Sequence, residues 1–234
     1  GYAHRGLCAR MRGNTLTGGA RLAARIDAAA TVAHQLAFAR AVAAAGGTEM
    51  SSPALVFPAE LERVATHLDV LAQMAELQAD GRLANLAAIL LERVRQICHA
   101  AYGHRLLFDV LSRSNAAAPA PAGVMAELHA GCTTLRRLFW RPRGLATQLL
   151  GRGILHAGAA RQWGIAGCVG RASGIEADLR RQDPAYVPGW LTPPPRSEGD
   201  MTARRSTRLH ERGESGQILG SLGDVSDPLP PVLA

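Results

Sequence analysis

The sequence predicts a mostly α-helical fold, a helical bundle core with proline-rich connections, and three observations lead to this fold class. Alanine fills roughly a fifth of the 234 positions and aromatic residues only 4%, a composition that favours helix over sheet. Apolar residues recur at helical spacing in several long segments. Clusters of glycine, proline and serine separate these segments, as expected of connections between helices.

Three helices are predicted in the first half of the chain. The first runs as one long helix over Leu16–Val42, ahead of a Gly-Gly stop signal. The second begins after Ser52 and Pro53, a serine cap followed by a proline suited to a first helical turn. The third covers residues 83–103, where leucines and other branched apolar residues form one stripe.

Two further helices are predicted in the second half. Residues Val124–Leu138 form the fourth, which Pro142 must end or bend. The last runs over Asp200–Leu222 and carries many arginines and glutamates, a pattern typical of a solvated face.

The chain is predicted to be a single partial domain over residues 1–234. Its helical core spans 14–113, and a proline-alanine linker spans 114–123. The C-terminal part, 124–234, contains a proline-rich segment at 183–199 that we expect to be extended.

Charge and composition exclude several classes of protein. The formal net charge is +7, all 26 basic residues are arginine, and they are scattered without interleaved aromatic residues, so we expect no nucleic-acid binding. No apolar stretch is long enough for a transmembrane helix, and no secretory signal pattern begins the chain. These features favour a cytoplasmic protein. The four cysteines are far apart, which predicts free buried thiols rather than a zinc site or disulfides.

Several motifs, in order, resemble one protein family. They are GYAHRGL at 1–7, ARIDAAATVAHQLAFARAV at 24–42, AELERVATHL at 59–68 and GIAGCVGRASGIEADLRRQDPAY at 164–186. Together they resemble the large subunit family shared by nickel-iron hydrogenases, of the energy-converting and formate hydrogenlyase type, and the D subunit of NADH-quinone oxidoreductase. The resemblance implies a hydrogenase large-subunit-like fold.

The chain departs from the family pattern where the family does its chemistry. The hydrogenase motif R-x-C-G-x-C-x-x-x-H aligns with Arg25 and His34, but Asp27 and Ala30 stand at its cysteine positions. Nickel needs soft thiolate ligands, so no metal is expected in this chain. Ala28 replaces the tyrosine that hydrogen-bonds quinone in the other branch. The catalytic residues are therefore unknown at this stage.

Three residues stay as candidate cofactor-binding residues on the resemblance. Arg25 matches an arginine near the iron-sulfur cluster of a partner small subunit, where a permanent positive charge would raise the cluster potential. The alternative is a surface arginine paired with Glu60 or Glu62. His34 and His4 are candidates beside structural roles.

Other charged residues are expected to be structural. His67 is expected to make a helix-packing bond to Glu60 or Arg63. Asp178, Arg180 and Arg181 are expected to form a salt-bridged turn against the core.

The resemblance implies a subunit of a membrane-associated oxidoreductase complex that is not an enzyme on its own. Its implied partners are an iron-sulfur small subunit and membrane-arm subunits, with quinone as a candidate ligand, on the inner face of the cell membrane. It would lie there through its partners and bind no cofactor itself. The alternatives are a non-catalytic assembly or scaffold protein, a degenerate fragment of the family, or a small-ligand binder that uses an alanine-lined cavity.

Overall fold

The computed structural model describes residues 5–112, 123–139, 149–194 and 196–222, and within these ranges it is helical without β-strands. The predicted fold class is confirmed. In chain order the α-helices are α1 (Leu7–Met11), α2 (Leu16–Ala23), α3 (Thr31–Ala45), α4 (Val56–Glu76), α5 (Gly81–Tyr102), α6 (Val124–Phe139), α7 (Ala157–Gln162), α8 (Gly167–Ala172) and α9 (Met201–Leu222). Short 3-10 helices occur at Pro53–Leu55, Val110–Ser112 and Leu179–Gln182.

Helices α4 and α5 pack against each other and form the centre of the core. Leu61, Leu68 and Leu71 of α4 are fully buried, and Val94 and Ile97 of α5 lie in the same cluster. These positions recur at the spacing of one helix face, so the apolar stripes that mark the helices in the sequence are the faces that meet. Helix α6 packs on the other side of α5, and α9 packs on α4.

The two ends of α5 are fixed by local signals. The Asp80 carboxylate accepts a hydrogen bond of 3.1 Å from the Leu83 amide at the N-terminus. Gly103 ends the helix with φ of 71°, a left-handed conformation that favours glycine. Both ends lie close to those expected from the sequence.

We expect Asp80→Ala to lower the free energy of unfolding by about 1 kcal/mol, because the first turn of α5 loses its side-chain acceptor. Urea unfolding followed by circular dichroism measures the change. Asp80→Asn keeps an oxygen acceptor and should stay close to the wild type. Equal losses in the two variants would contradict a capping role.

The prediction of one helix over Leu16–Val42 is wrong, because the chain breaks between α2 and α3. The Asp27 carboxylate accepts the Ala29 amide at 2.9 Å, and the Asp27 carbonyl accepts the Thr31 hydroxyl at 3.1 Å. Such local bonds from a short polar side chain compete with the helix. The break lets α2 fold back on α3, where Gly19 leaves room for the ring of Phe38.

The prediction of a solvated face for the last helix is also wrong. Helix α9 has the expected bounds within one residue, but Arg205, Glu211, Arg212 and Glu214 are all buried. Carboxylates of this helix face arginines of the segment 171–180, and the ion pairs offset the cost of taking the charges out of water.

The predictions for the fourth helix, the linker and the proline-rich segment have different outcomes. Helix α6 confirms the fourth predicted helix, whereas Pro142 and residues 114–122 of the linker lie outside the described residues. The proline-rich segment is not uniformly extended, because turns occur at 184–185 and 188–189. The division into domains stays a prediction.

Two further findings concern cysteines and membranes. All four thiols are free, but only Cys98 and Cys132 are buried, Cys168 is half-buried and Cys8 is exposed, which corrects the expectation of buried thiols throughout. None of the described helices is long and apolar enough to cross a bilayer.

Candidate functional site

A cavity of about 720 Å³ opens beside the break between α2 and α3. Its walls are the loop before α3, one face of α4, and the C-terminal end of α5 with the segment after it. The side chains that line it combine alanines with titratable groups, among them Asp27, Ala28, Ala29, Glu62, Ala65, Asp69, Cys98, His99 and His104. We call it the alanine cavity. The loop of the family motif, including Ala28, therefore lies at a cavity wall.

Hydrogen bonds from distant elements hold this wall in place. Thr66 of α4 donates to the Ala29 carbonyl at 2.8 Å. The buried amide of Gln35 donates to the Leu107 carbonyl at 2.9 Å and accepts the Leu111 amide at 3.2 Å. These bonds tie both α3 and the segment after α5 to the cavity.

Glu62 caps the N-terminus of α3 from the neighbouring helix. Its carboxylate accepts hydrogen bonds from the Val32 amide at 2.5 Å and the Ala33 amide at 3.0 Å. Burial outweighs these bonds and raises the pKa of Glu62 to about 7. Glu62 therefore changes charge near neutral pH at the edge of the alanine cavity. The sequence carries no signal for this role, because the cap comes from a residue 30 positions away.

Arg25 is outside the lining of the alanine cavity, and its side chain is 45% exposed. Its guanidinium binds the Asp109 carboxylate with two bonds of 2.6 and 2.7 Å and lies 5.1 Å from the centre of the Phe108 ring. That ring stacks on His104 of the cavity wall. The alternative reading, a surface arginine paired with a carboxylate, agrees with this geometry, but the partner is Asp109 from the segment after α5 rather than Glu60 or Glu62.

Of the two candidate histidines, the structure describes only His34. His34 is half-buried on α3 and lies outside the linings of the cavities at this helix. His4 lies outside the described residues. Their assignment as cofactor-binding residues stays a prediction.

A buried ionic network connects α4, α8 and α9. Arg171 holds Glu211 with two hydrogen bonds of 2.5 and 2.8 Å, and Nε2 of His67 lies 3.3 Å from the same carboxylate. The partner of His67 is thus Glu211 of α9, not Glu60 or Arg63. Burial lowers the pKa of His67 to about 4, so its ring is neutral at pH 7. The contacts of Glu211 with His67 and Arg171 hold the pKa of the Glu211 carboxylate far below its usual range.

The predicted salt-bridged turn is confirmed for Asp178 and Arg180, whereas Arg181 donates to the Leu191 carbonyl instead. Arg180 donates to the Asp178 carboxylate at 2.8 Å, inside the 3-10 helix segment. The Arg180 guanidinium also lies 3.5 Å from carboxylate oxygens of Glu60 and Glu214. The Tyr186 hydroxyl donates to Glu60 at 2.7 Å. Sequence reasoning missed this joining of α4 and α9, because the pattern of a charged helix does not distinguish a buried network from a solvated face.

Residues 92–226 match the family described as the 49 Kd subunit of respiratory-chain NADH dehydrogenase. The chain belongs to this family. The 49 Kd subunit family is the NADH-quinone oxidoreductase branch of the large-subunit resemblance. The recognised family is therefore confirmed.

Relatives of the 49 Kd subunit family match most of the chain. The H subunit of the chloroplastic NAD(P)H-quinone oxidoreductase of Daucus carota is 29% identical over 94% of this chain and 59% of its own length. Its counterpart from Oenothera argillicola is 32% identical over 68% of this chain and 43% of its own length. The chain thus spans about half the length of these relatives.

A solved structure shares the fold. The structure of the membrane-bound sulfane sulfur reductase, an archaeal respiratory membrane complex, contains a chain that superposes with a TM-score of 0.81. The match covers 98% of this chain and 66% of that chain at 21% sequence identity. The hydrogenase large-subunit-like fold is confirmed.

Proposed function

We propose that this chain is a subunit of a membrane-associated oxidoreductase complex, that it packs against an iron-sulfur small subunit, and that it carries no metal centre of its own. The observation that carries the proposal is the family match over residues 92–226. The relatives named as quinone oxidoreductase subunits support the same class of complex. In this proposal the chain reaches the inner face of the membrane through its partners.

Nickel does not fit the residues present. Asp27 and Ala30 stand where the hydrogenase motif needs thiolates, and Ala30 has no donor atom. Within the described part of the chain, no group of three or more His, Cys, Asp or Glu is arranged to hold a metal ion. Nickel chemistry is therefore no part of the proposed function.

The alanine cavity is the proposed place for a quinone-like ligand. Its volume of about 720 Å³ and its alanine and leucine lining suit a flat apolar ring. Ala28 supplies no hydroxyl there, so a hydrogen bond to a head-group oxygen would come from another polar group of the wall, such as His99. Electrons would come from the partner's cluster.

Arg25 is the residue proposed to face that cluster. Its two bonds to Asp109 and its contact with Phe108 hold the guanidinium in one position. The group stays charged at every working pH, since the carboxylate raises its already high pKa. A fixed positive charge stabilises the reduced, more negative cluster.

In the complex with the small subunit, we expect Arg25→Gln to lower the midpoint potential of the nearest cluster by on the order of tens of millivolts. The variant removes one positive charge and leaves the Asp109 carboxylate without this partner. Asp109→Asn should shift the potential in the opposite direction. A redox titration followed by electron paramagnetic resonance measures both changes.

The matched control is Arg93→Gln. Arg93 is about as exposed as Arg25, with 49% of its side chain accessible, and its ion-pair partner is Glu127 of α6. Its loss should leave the potential unchanged. A chain that never co-purifies with a cluster-bearing subunit would contradict the proposal as a whole, whereas equal potentials in the Arg25 and Arg93 variants would contradict only the role of Arg25.

A further inference from the structure

A second cavity, of about 610 Å³, lies between α3, α4, α8 and α9. It adjoins the alanine cavity, since Ala29, Glu62 and Thr66 line both. Five arginines line the second cavity against three carboxylates, of which Glu62 is the one that titrates near neutral pH. We call it the arginine cavity. The arginines are Arg40, Arg63, Arg171, Arg180 and Arg208.

Three of these arginines are neutralised by close ion pairs. Arg40 pairs with Asp183, which also lines the cavity. Arg171 takes both oxygens of Glu211, and Arg180 is held by Asp178. Their charges are balanced within the protein.

The positive charges of Arg63 and Arg208 are not neutralised by close ion pairs of this kind. Arg63 lies 3.5 Å from Glu60 and 3.9 Å from Glu211, and its buried Nε has no hydrogen-bond partner. Arg208 lies 3.5 Å from Nδ1 of His67, a ring that is neutral at pH 7. Within the described residues no carboxylate lies within 4.0 Å of Arg208. Arg63 shares its two nearby carboxylates with Arg180 and Arg171. Neither Arg63 nor Arg208 therefore has a carboxylate to itself.

The opposite wall of the arginine cavity is apolar. It is formed by α3 and the start of α4, through Ala33, Leu36, Ala37, Leu55 and Val56. Small side chains on α3 leave the space between this wall and the arginines open. The cavity therefore offers a cationic end and an apolar side, and its volume exceeds what a simple inorganic anion fills.

We propose that the arginine cavity binds a small anionic amphiphile, with a phosphate or carboxylate head between Arg63 and Arg208 and an apolar body against α3. Guanidinium groups match the planar pairs of oxygens in such heads, which a chloride ion does not offer. Burying the apolar body against α3 adds affinity in proportion to its length. The arginines of this site do not line the alanine cavity, and the proposal does not depend on the function proposed above.

The probes are n-octyl phosphate, below its micelle concentration, and inorganic phosphate, each titrated into the full chain by calorimetry at constant ionic strength. We expect one saturable site for octyl phosphate and binding at least about tenfold weaker for inorganic phosphate, because the latter lacks the apolar body. Vesicles of phosphatidylcholine with phosphatidic acid separate a free amphiphile from a membrane surface. Binding only to vesicles, or equal affinities for the two soluble probes, would overturn the proposal.

Variants test the two ends of the site. Arg208→Gln should weaken octyl phosphate about tenfold or more through the lost charged hydrogen bonds, and Arg63→Gln provides the same test if the first variant fails to fold. Ala37→Phe should fill the apolar side and weaken octyl phosphate more than inorganic phosphate. Arg93→Gln, outside the lining of this cavity, is the matched control and should bind as the wild type does. Equal affinities in the Arg208, Arg63 and Arg93 variants would refute the site.

Discussion

Glu211→Gln is expected to lower the free energy of unfolding by about 3 to 5 kcal/mol. The substitution keeps the size of the side chain but removes the charge that faces the buried guanidinium of Arg171 and the ring of His67. Arg171 would then be a buried cation that keeps one hydrogen bond to the Ala177 carbonyl, at 3.1 Å, and the partial support of the Asp178 carboxylate at 3.7 Å. An unpaired buried charge is among the costliest defects that a single substitution can create.

Urea unfolding at pH 7, followed by circular dichroism, measures this loss. The matched control is Glu92→Gln, since Glu92 also binds an arginine, Arg105, with two hydrogen bonds of 2.8 and 2.6 Å, but on an exposed surface. Solvent screens that pair, and its loss should leave the unfolding midpoint unchanged. Similar losses of unfolding free energy in both variants would mean that burial of the Arg171–Glu211 pair does not add to its contribution to stability.

Glu62→Gln is expected to change how stability depends on pH. The pKa of Glu62 rises from an ordinary 4.5 to about 7 in the folded chain, so between these values the folded state holds more protons than the unfolded state. Stability therefore falls as pH rises through this window, by roughly 3 kcal/mol in all. Glu62→Gln has no titratable group at position 62, so its stability should not decrease with pH for this reason.

His67 contributes a slope of the opposite sign. Its pKa falls from an ordinary 6.5 to about 4 on folding, so between these values the unfolded state binds more protons and stability rises with pH. The two slopes oppose each other where the windows overlap. Relative to the wild type, Glu62→Gln should gain stability as pH rises from about 5 to 6.5, and His67→Gln should lose it.

Unfolding free energies at several pH values across that range test both signs. The double variant serves as the control, because it lacks both groups and should show a slope close to that of the wild type. Parallel curves for the wild type and Glu62→Gln would show that Glu62 does not hold a proton at neutral pH.

The sequence predicts well what depends on local periodicity and local capping. The apolar stripes of α4 and α5, the cap at Asp80 and the glycine at 103 lie in the sequence where the structure uses them. The break at Asp27 is different, because the local bonds of Asp27 are joined there by a cap from Glu62, which reaches the start of α3 from another helix. A run of alanines has no feature that distinguishes a continuous helix from one interrupted by such a contact.

The candidate site shows the same difference between features that depend on local sequence and features that depend on distant contacts. Motif spacing indicates which loop forms the alanine cavity, since Ala28 lines it as the family resemblance implies. The partner of Arg25 could not be predicted, because Asp109 lies 84 positions away. Nor could the burial of α9, since glutamates and arginines at helical spacing give the same pattern in water and in a buried network.

The late position of α9 in the chain has a consequence for synthesis. The ribosome releases the segments that carry His67 and Arg171 before it makes Glu211, the carboxylate that receives them both. During translation the side of α4 that carries His67 therefore stays exposed to water. The buried network between α4, α8 and α9 cannot form until residue 211 has left the exit tunnel. Pausing of translation just before that point would prolong the interval in which chaperones and proteases can reach the chain.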